Sequence, residues 1–313
     1  MIAALLGVWL AAATAGNAAP DVPAAPRVSA VVLGVAQDGG VPHLGCAKEC
    51  CAAARRDPSR GARVASLALR AGAQVFLIDA TPDLRSQVQT AVGESALGSR
   101  PRGRPVDGIL LTHAHVGHYA GLIYLGRESI AADAVPVFAT ERMGAFLSAN
   151  GPWRRLVDGH NIVLRTLTPG RPVELAPGLT VEPLRVPHRE EESDVMGFLV
   201  TGPSRRLLYI PDIDDWSRWD RDIATLTGSV DCALLDGTFY TPGELGARAI
   251  ADVPHPLVPS TMDRLEPLVK QGRRVIFIHM NHTNPILRPD SAERRQTERR
   301  GFEVAADGTE IPL

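Results

Sequence analysis

Three histidines within six residues, His113, His115 and His118, follow the apolar run at residues 106–111 and precede a stretch of helical period. Imidazoles two apart at a strand end face one side and can grip a single cation. A third, at the start of the next helix, approaches the same centre from another direction. Neutral imidazole nitrogens suit Zn, Fe, Ni or Cu. A solvated His-rich turn is the plain alternative, and the strand before, the helix after and the apolar flank argue against it. Three more strand ends carry similar residues. Val186-Pro187-His188 leads into the acidic run Glu190-Glu191-Glu192 and Asp194. Asp212 leaves the apolar run Leu208-Tyr209-Ile210-Pro211. His279 ends Ile276-Phe277-Ile278, with His282 three residues on. Taken singly, these read as a surface histidine, a turn cap and a buried residue. Together they suit a rigid sheet edge that holds ligands for metal-assisted chemistry.

Positioning four such ends requires alternating strands and helices, and the sequence supplies them. Strands are expected at residues 28–36, 63–70, 74–78, 106–111, 136–139, 162–167, 179–186, 197–201, 206–210, 231–235 and 274–278. The first of these ends in the Gly-rich loop Gln37-Asp38-Gly39-Gly40. Helices are expected at 82–92 after a Thr81 cap, at 118–128, at 141–150, from Ser260 to Lys270 with Pro267 bending it, and at 290–300. The simplest architecture is one domain over residues 28–313, with two mixed sheets packed together and helices outside.

Composition excludes several classes. The chain has 313 residues and a net charge of −2, so it lacks the basic excess of a nucleic-acid binder. At 5% aromatic it is also poor in platforms for stacking bases. Four cysteines are too few for a disulfide-built scaffold of this length. Residues 2–16 are uncharged and apolar, too short to span a bilayer, and fit the core of a secretory signal with small residues at Gly16 and Ala18. The usual basic start is missing, since no Lys or Arg precedes Arg27, and a buried N-terminal helix is the plain alternative. We expect a signal peptide at 1–19, a Pro-rich linker at 20–27, and a periplasmic or secreted protein with no membrane span after leader removal. The expected partner is a small-molecule substrate, not nucleic acid; oligomeric state is not readable.

The order of these motifs resembles the metallo-β-lactamase superfamily, whose members share a four-layer αββα sandwich of the α/β class. Within it, the chain is most similar to the pyrroloquinoline-quinone biosynthesis protein B family. The residues that carry this are Gly39-Gly40-Val41-Pro42 before the cysteines, Ala80-Thr81-Pro82-Asp83-Leu84-Arg85, Leu235-Asp236-Gly237-Thr238-Phe239, and His279 through Leu287. The resemblance implies that His113, His115 and His188 hold one metal, that His118 and His279 hold a second, and that Asp212 bridges them. It makes Asp212 and His118 the expected catalytic pair and Asp79 an organiser behind the ligands. One or two zinc ions are expected, with iron or manganese as alternatives. Two departures stand out. The superfamily signature is HxHxDH, and Gly117 here replaces the aspartate. Either one metal suffices, or another group such as His282 fills in, or the chemistry differs. Conversely, Asp212 fits the superfamily's bridging position, which points to a distinct, exported branch.

The expected activity is hydrolysis of an ester, lactone, amide or phosphoester, since a bound divalent cation lowers the pKa of coordinated water to around 7. The resemblance also implies iron-dependent oxidation as an alternative, and a non-catalytic small-molecule binder is a third. Some relatives carry a structural zinc near the cysteines, which implies one held by Cys46, Cys50, Cys51 and His43. Adjacent Cys50 and Cys51 are expected not to share one ion easily, so disulfides or free thiols compete with that reading. His255 is undecided between pocket and surface, His160 reads as solvent-facing, Tyr119 as core, and Asp236 as a turn residue or an organiser.

Overall fold

The computed structural model describes residues 27–245 and 253–313. The expected signal peptide and nearly all of the linker lie outside the described residues. One sheet runs in the order β14-β1-β2-β3-β4-β5-β6. Its strands are β1 (Val28–Gly34), β2 (Ser66–Ala71), β3 (Gln74–Ile78), β4 (Gly108–Leu110), β5 (Val135–Thr140) and β6 (Ile162–Leu167), with β14 (Glu310–Pro312) at one edge. The other runs β13-β12-β11-β10-β9-β8-β7. It comprises β7 (Val173–Ala176), β8 (Leu179–Arg185), β9 (Met196–Thr201), β10 (Arg206–Ile210), β11 (Cys232–Asp236), β12 (Arg274–Ile278) and β13 (Glu303–Val304). This is the two-layered mixed-sheet sandwich with outer helices that the sequence implied.

Alternation explains the layering. In β1, Ala30 and Val32 face the core between the sheets, while Val31 and Leu33 face the outer helices. Leu67 and Leu69 against Ala68, and Phe76 and Ile78 against Val75 and Leu77, repeat the pattern. A strand apolar on both faces belongs in a middle layer, covered on each side. β3 to β6 pair in parallel, as do β10 to β13. Their carboxyl ends therefore share one rim in each sheet, where irregular loops can reach a common point.

Several elements differ from expectation for physical reasons. The first strand stops at Gly34 because Val35 and Ala36 turn to donate their N–H groups to Arg63 O, each at 2.9 Å. The same bonds delay β2 until Ser66. The helix expected at 118–128 is one short turn, Val116–Tyr119, followed by the 3-10 segment Ala120–Leu125. Gly121 donates to Ala80 O at 2.8 Å, which draws its backbone against the Ala80–Thr81 strand end and breaks the regular ladder. Thr81 does not cap by side chain at the helix start; the helix begins at Leu84 after Asp83. The helix Val258–Lys270 starts two residues before Ser260 and runs through Pro267. Helices Glu49–Arg56, Trp153–Asp158 and Ile223–Gly228 have no counterpart in the sequence reading. Among the described residues no helix is long and apolar enough to cross a membrane.

Candidate metal centre

The site lies where the two rims meet. His113 and His115 follow β4, His118 sits in the turn after them, His188 follows β8, Asp212 follows β10 and His279 follows β12. All six reach one buried region, the least buried being His115 with a side chain 17% exposed.

What holds the outer nitrogen of each ring determines what the inner one can do. Asp79, completely buried at the end of β3, accepts from Thr112 N at 2.8 Å and from Thr112 Oγ1 at 3.0 Å. With its hydroxyl proton committed to Asp79, Thr112 Oγ1 accepts from His113 Nδ1 at 3.0 Å, leaving His113 Nε2 as a lone pair. His115 Nε2 donates to Glu191 at 3.1 Å, so its Nδ1 is the free lone pair. These two lone pairs face each other at 2.8 Å, which is repulsive without a positive charge against them. His188 Nδ1 donates to Asp214 at 2.9 Å, His118 Nδ1 to Asp79 at 2.7 Å, and His279 Nδ1 to Thr238 Oγ1 at 3.1 Å. Every Nε2 so oriented points inward. Asp79 (φ 71°) and His279 (φ 63°) hold left-handed backbone that such residues rarely adopt, a strain concentrated at the site.

Asp212 lies between two histidine groups. Its Oδ1 is 3.8 Å from His188 Nε2, and its Oδ2 is 3.1 Å from His118 Nε2 and 3.4 Å from His279 Nε2. The donor atoms of His113, His115 and His188 lie within 4.8 Å of one another, as do those of His113, His118 and Asp212. His118 Nε2, His279 Nε2 and Asp212 Oδ2 are buried without a hydrogen-bond partner. Converging nitrogen and oxygen donors of this kind fit a divalent cation such as zinc. Burial disfavours charge on Asp212, but His279, His118 and His113 outweigh it and hold its carboxyl well below the usual range. Burial and the nearby His118 charge push His113 well below the usual imidazole value, leaving it a neutral ligand. Burial also opposes charge on His118, yet Asp79 and Asp212 raise it well above that value.

Residues that the sequence left open find their places here, and the cysteine group changes membership. His255 is buried in the centre, with Nδ1 donating to Asp236 at 2.7 Å and its own donor atom within reach of His188 and Asp212. Asp236 also accepts from Ile213 N at 3.1 Å and Thr238 N at 2.9 Å, so it organises the loops after β10 and β11. His282 is not in this centre. It packs instead on His43, ring centroids 4.4 Å apart, and its donor atom lies within 4.8 Å of Cys46, Cys50 and Cys51. His282 therefore replaces His43 in the cysteine group, and His43 only flanks it. The adjacent cysteines nonetheless bring their Sγ atoms to 3.9 Å from each other, and both fall in one group with Cys46 and His282. All four cysteines are unlinked thiols.

Sequence reasoning missed Asp38. This residue of the Gly-rich loop places Oδ1 3.5 Å from His118 Nε2, and its donor atom groups with those of His118 and His279. Oδ1 is buried without a hydrogen-bond partner. No spacing rule marks a lone aspartate in a turn; the only signal was the missing carboxylate at 117.

Fold and site together define a metal-binding αββα sandwich protein. A model of the β-lactamase superfamily domain matches residues 74–280. The chain is 30% identical to coenzyme PQQ synthesis protein B of Rhizobium meliloti (strain 1021), covering 90% of this chain and 97% of that protein. It superposes on the crystal structure of Zn(2+)-bound PqqB from Methylobacterium extorquens with a TM-score of 0.75 and 27% identity, covering 91% of this chain and all of that one. It shares the fold of a diphosphatase of the PhnP family, with a TM-score of 0.63 at 21% identity over 92% of this chain and 97% of that one. The chain belongs to the metallo-β-lactamase superfamily and, within it, to the coenzyme PQQ synthesis protein B family.

Proposed function

We propose that the protein is a two-cation hydrolase of a small-molecule ester, lactone, amide or phosphoester, working after export. The observation that carries this is the set of buried, unpartnered donors His118 Nε2, His279 Nε2 and Asp212 Oδ2 beside the facing lone pairs of His113 and His115. His113, His115 and His188 would hold one cation, His118 and His279 the other, and Asp212 would touch both. Such cations, when bound, supply Lewis acidity that brings water's pKa toward ~7 and polarises the substrate oxygen.

The chain's own residues do the rest. Asp212 is ionised and sits between the two histidine groups, where it orients the attacking water or accepts its proton. His118 stays fixed through Asp79, which keeps Nε2 aimed at the same point. His255, held at Nδ1 by Asp236, presents Nε2 to the centre, where it can hold a proton for a leaving group. Glu191 tethers His115 at the mouth. The cysteines with His282 fit a separate structural zinc. The near-neutral charge supplies no overall basic excess for a polyanion, so a small substrate fits better than nucleic acid.

The relatives' name, coenzyme PQQ synthesis protein B, favours a second reading, a step in coenzyme PQQ synthesis. The family resemblance implies that this step is an iron-dependent oxidation. Screening the chelator-stripped chain against ester, lactone, phosphodiester and β-lactam substrates separates the two. Hydrolysis is expected to return with zinc and to vanish in His115→Ala together with metal. Oxygen consumption by the iron-loaded chain, with the zinc-loaded chain inert, would favour oxidation. Tight binding without turnover under any metal would point to a non-catalytic binder.

A further inference from the structure

Position 117 and Asp38 compete for one space. A Cβ built on Gly117 would lie 2.2 Å from Asp38 Oδ1 and 2.6 Å from Asp38 Cα, both far inside contact distance. The clash includes backbone, so rotating the aspartate side chain cannot relieve it. A side chain at 117 would begin where the Asp38 carboxylate now stands. That carboxylate is aimed at His118 Nε2, one of four buried donors without a hydrogen-bond partner that meet here; the others are Asp38 Oδ1 itself, His279 Nε2 and Asp212 Oδ2.

The loop bearing Asp38 is held to the strand end that delivers His279. Gln37 N donates to Met280 O at 2.9 Å, and Met280 N donates to Val35 O at 2.8 Å. Gly40 N closes the turn on Gln37 O at 2.8 Å, with Gly40 at a φ of 64°. Asp38 and His279 are thus fixed to each other through main chain, although 241 positions separate them (279 − 38). These main-chain bonds hold the loop that carries the Asp38 carboxylate beside the strand end that carries His279.

We infer that Asp38 is the carboxylate ligand of the second cation, taking over across the fold the place that Gly117 leaves empty in the histidine motif. The inference rests on the two-cation reading above. With the loop at Asp38 in this place, position 117 has no room for a side chain, so a carboxylate can reach the centre from 38 but not from 117.

The test is zinc content per chain, measured by elemental analysis after stripping, reloading and dialysis. Comparison is with the wild-type chain, so any zinc on the cysteines cancels. Asp38→Ala and the near-isosteric Asp38→Asn are each expected to hold one zinc fewer. Loss of a direct ligand should weaken that zinc by more than the roughly 10–100-fold that loss of an outer partner costs. An Asp38→Asn chain that melts like the wild type and still holds one zinc fewer separates loss of a ligand from misfolding. His279→Gly, chosen because glycine accepts the positive φ at 279, reports on the second site independently. If His279→Gly loses a zinc and both Asp38 variants keep theirs, Asp38 is not a ligand and the two-cation reading stands. If none of them loses zinc, the two-cation reading fails and the assignment of Asp38 fails with it.

Discussion

Each inward ring nitrogen in the centre is set by the partner of the opposite one, and those partners are as informative as the donors. Thr112, Asp79, Asp214, Thr238 and Glu191 together fix which nitrogen of five histidines carries the proton. The pair His118–Asp79 gives a pH prediction. In the metal-free chain, burial disfavours the His118 charge, but Asp79 and Asp212 outweigh it and raise its pKa well above 6.5. A raised folded value means this pairing stabilises fully below the unfolded pKa, and the stabilisation is lost as pH rises through the folded value. The melting temperature of metal-free protein should therefore fall as pH rises above neutral, and a His118→Asn variant should show a flatter profile. Identical profiles for the two chains would remove the ion pair from the account. At this scale the histidines and Asp212 were readable because each ends an apolar run. Asp38 was not, because a turn aspartate beside glycines reads as ordinary turn chemistry. His282 stayed open as a stand-in at the centre because three residues of sequence separation from His279 does not show which way the chain turns.

Elements matter here through their ends. The run after His118 has a helical period, yet the chain breaks it so that Gly121 can press on the Ala80–Thr81 strand end. A Cβ at 121 would lie 2.0 Å from Thr81 O and 2.9 Å from Ala80 O, both backbone atoms that cannot swing aside. Gly121→Ala should therefore cost roughly 1–3 kcal/mol of stability, read by denaturant unfolding, and loosen Asp79 and His118 with it. A variant as stable as wild type would show that this contact does not set the turn. Periodicity located most strands, several to the residue, because strands apolar on both faces leave long unbroken signals. Short helices such as Glu49–Arg56 and Trp153–Asp158 went unseen because one or two turns carry too few periods to register.

Across the whole molecule, two rims of parallel strand ends face each other, and the centre exists only because the sheets pack in this register. Sequence showed that four strand ends carried chemistry, and the family resemblance proposed how they group. Neither showed that the β1 loop joins them, since that depends on main-chain bonds between Gln37 and Met280. The same tertiary placement moves His255 inward through Asp236 and moves His282 outward to the cysteines. The central claim is that this junction holds two cations, with Asp212 between them. Anomalous diffraction at the zinc edge from crystals of the reloaded chain tests it most directly. The account predicts two peaks at the centre, roughly 3.5–4 Å apart as in other two-metal sites. One should be ringed by His113, His115 and His188, and the other by His118, His279 and Asp38. A single peak there, or anomalous signal at the cysteines alone, would contradict it.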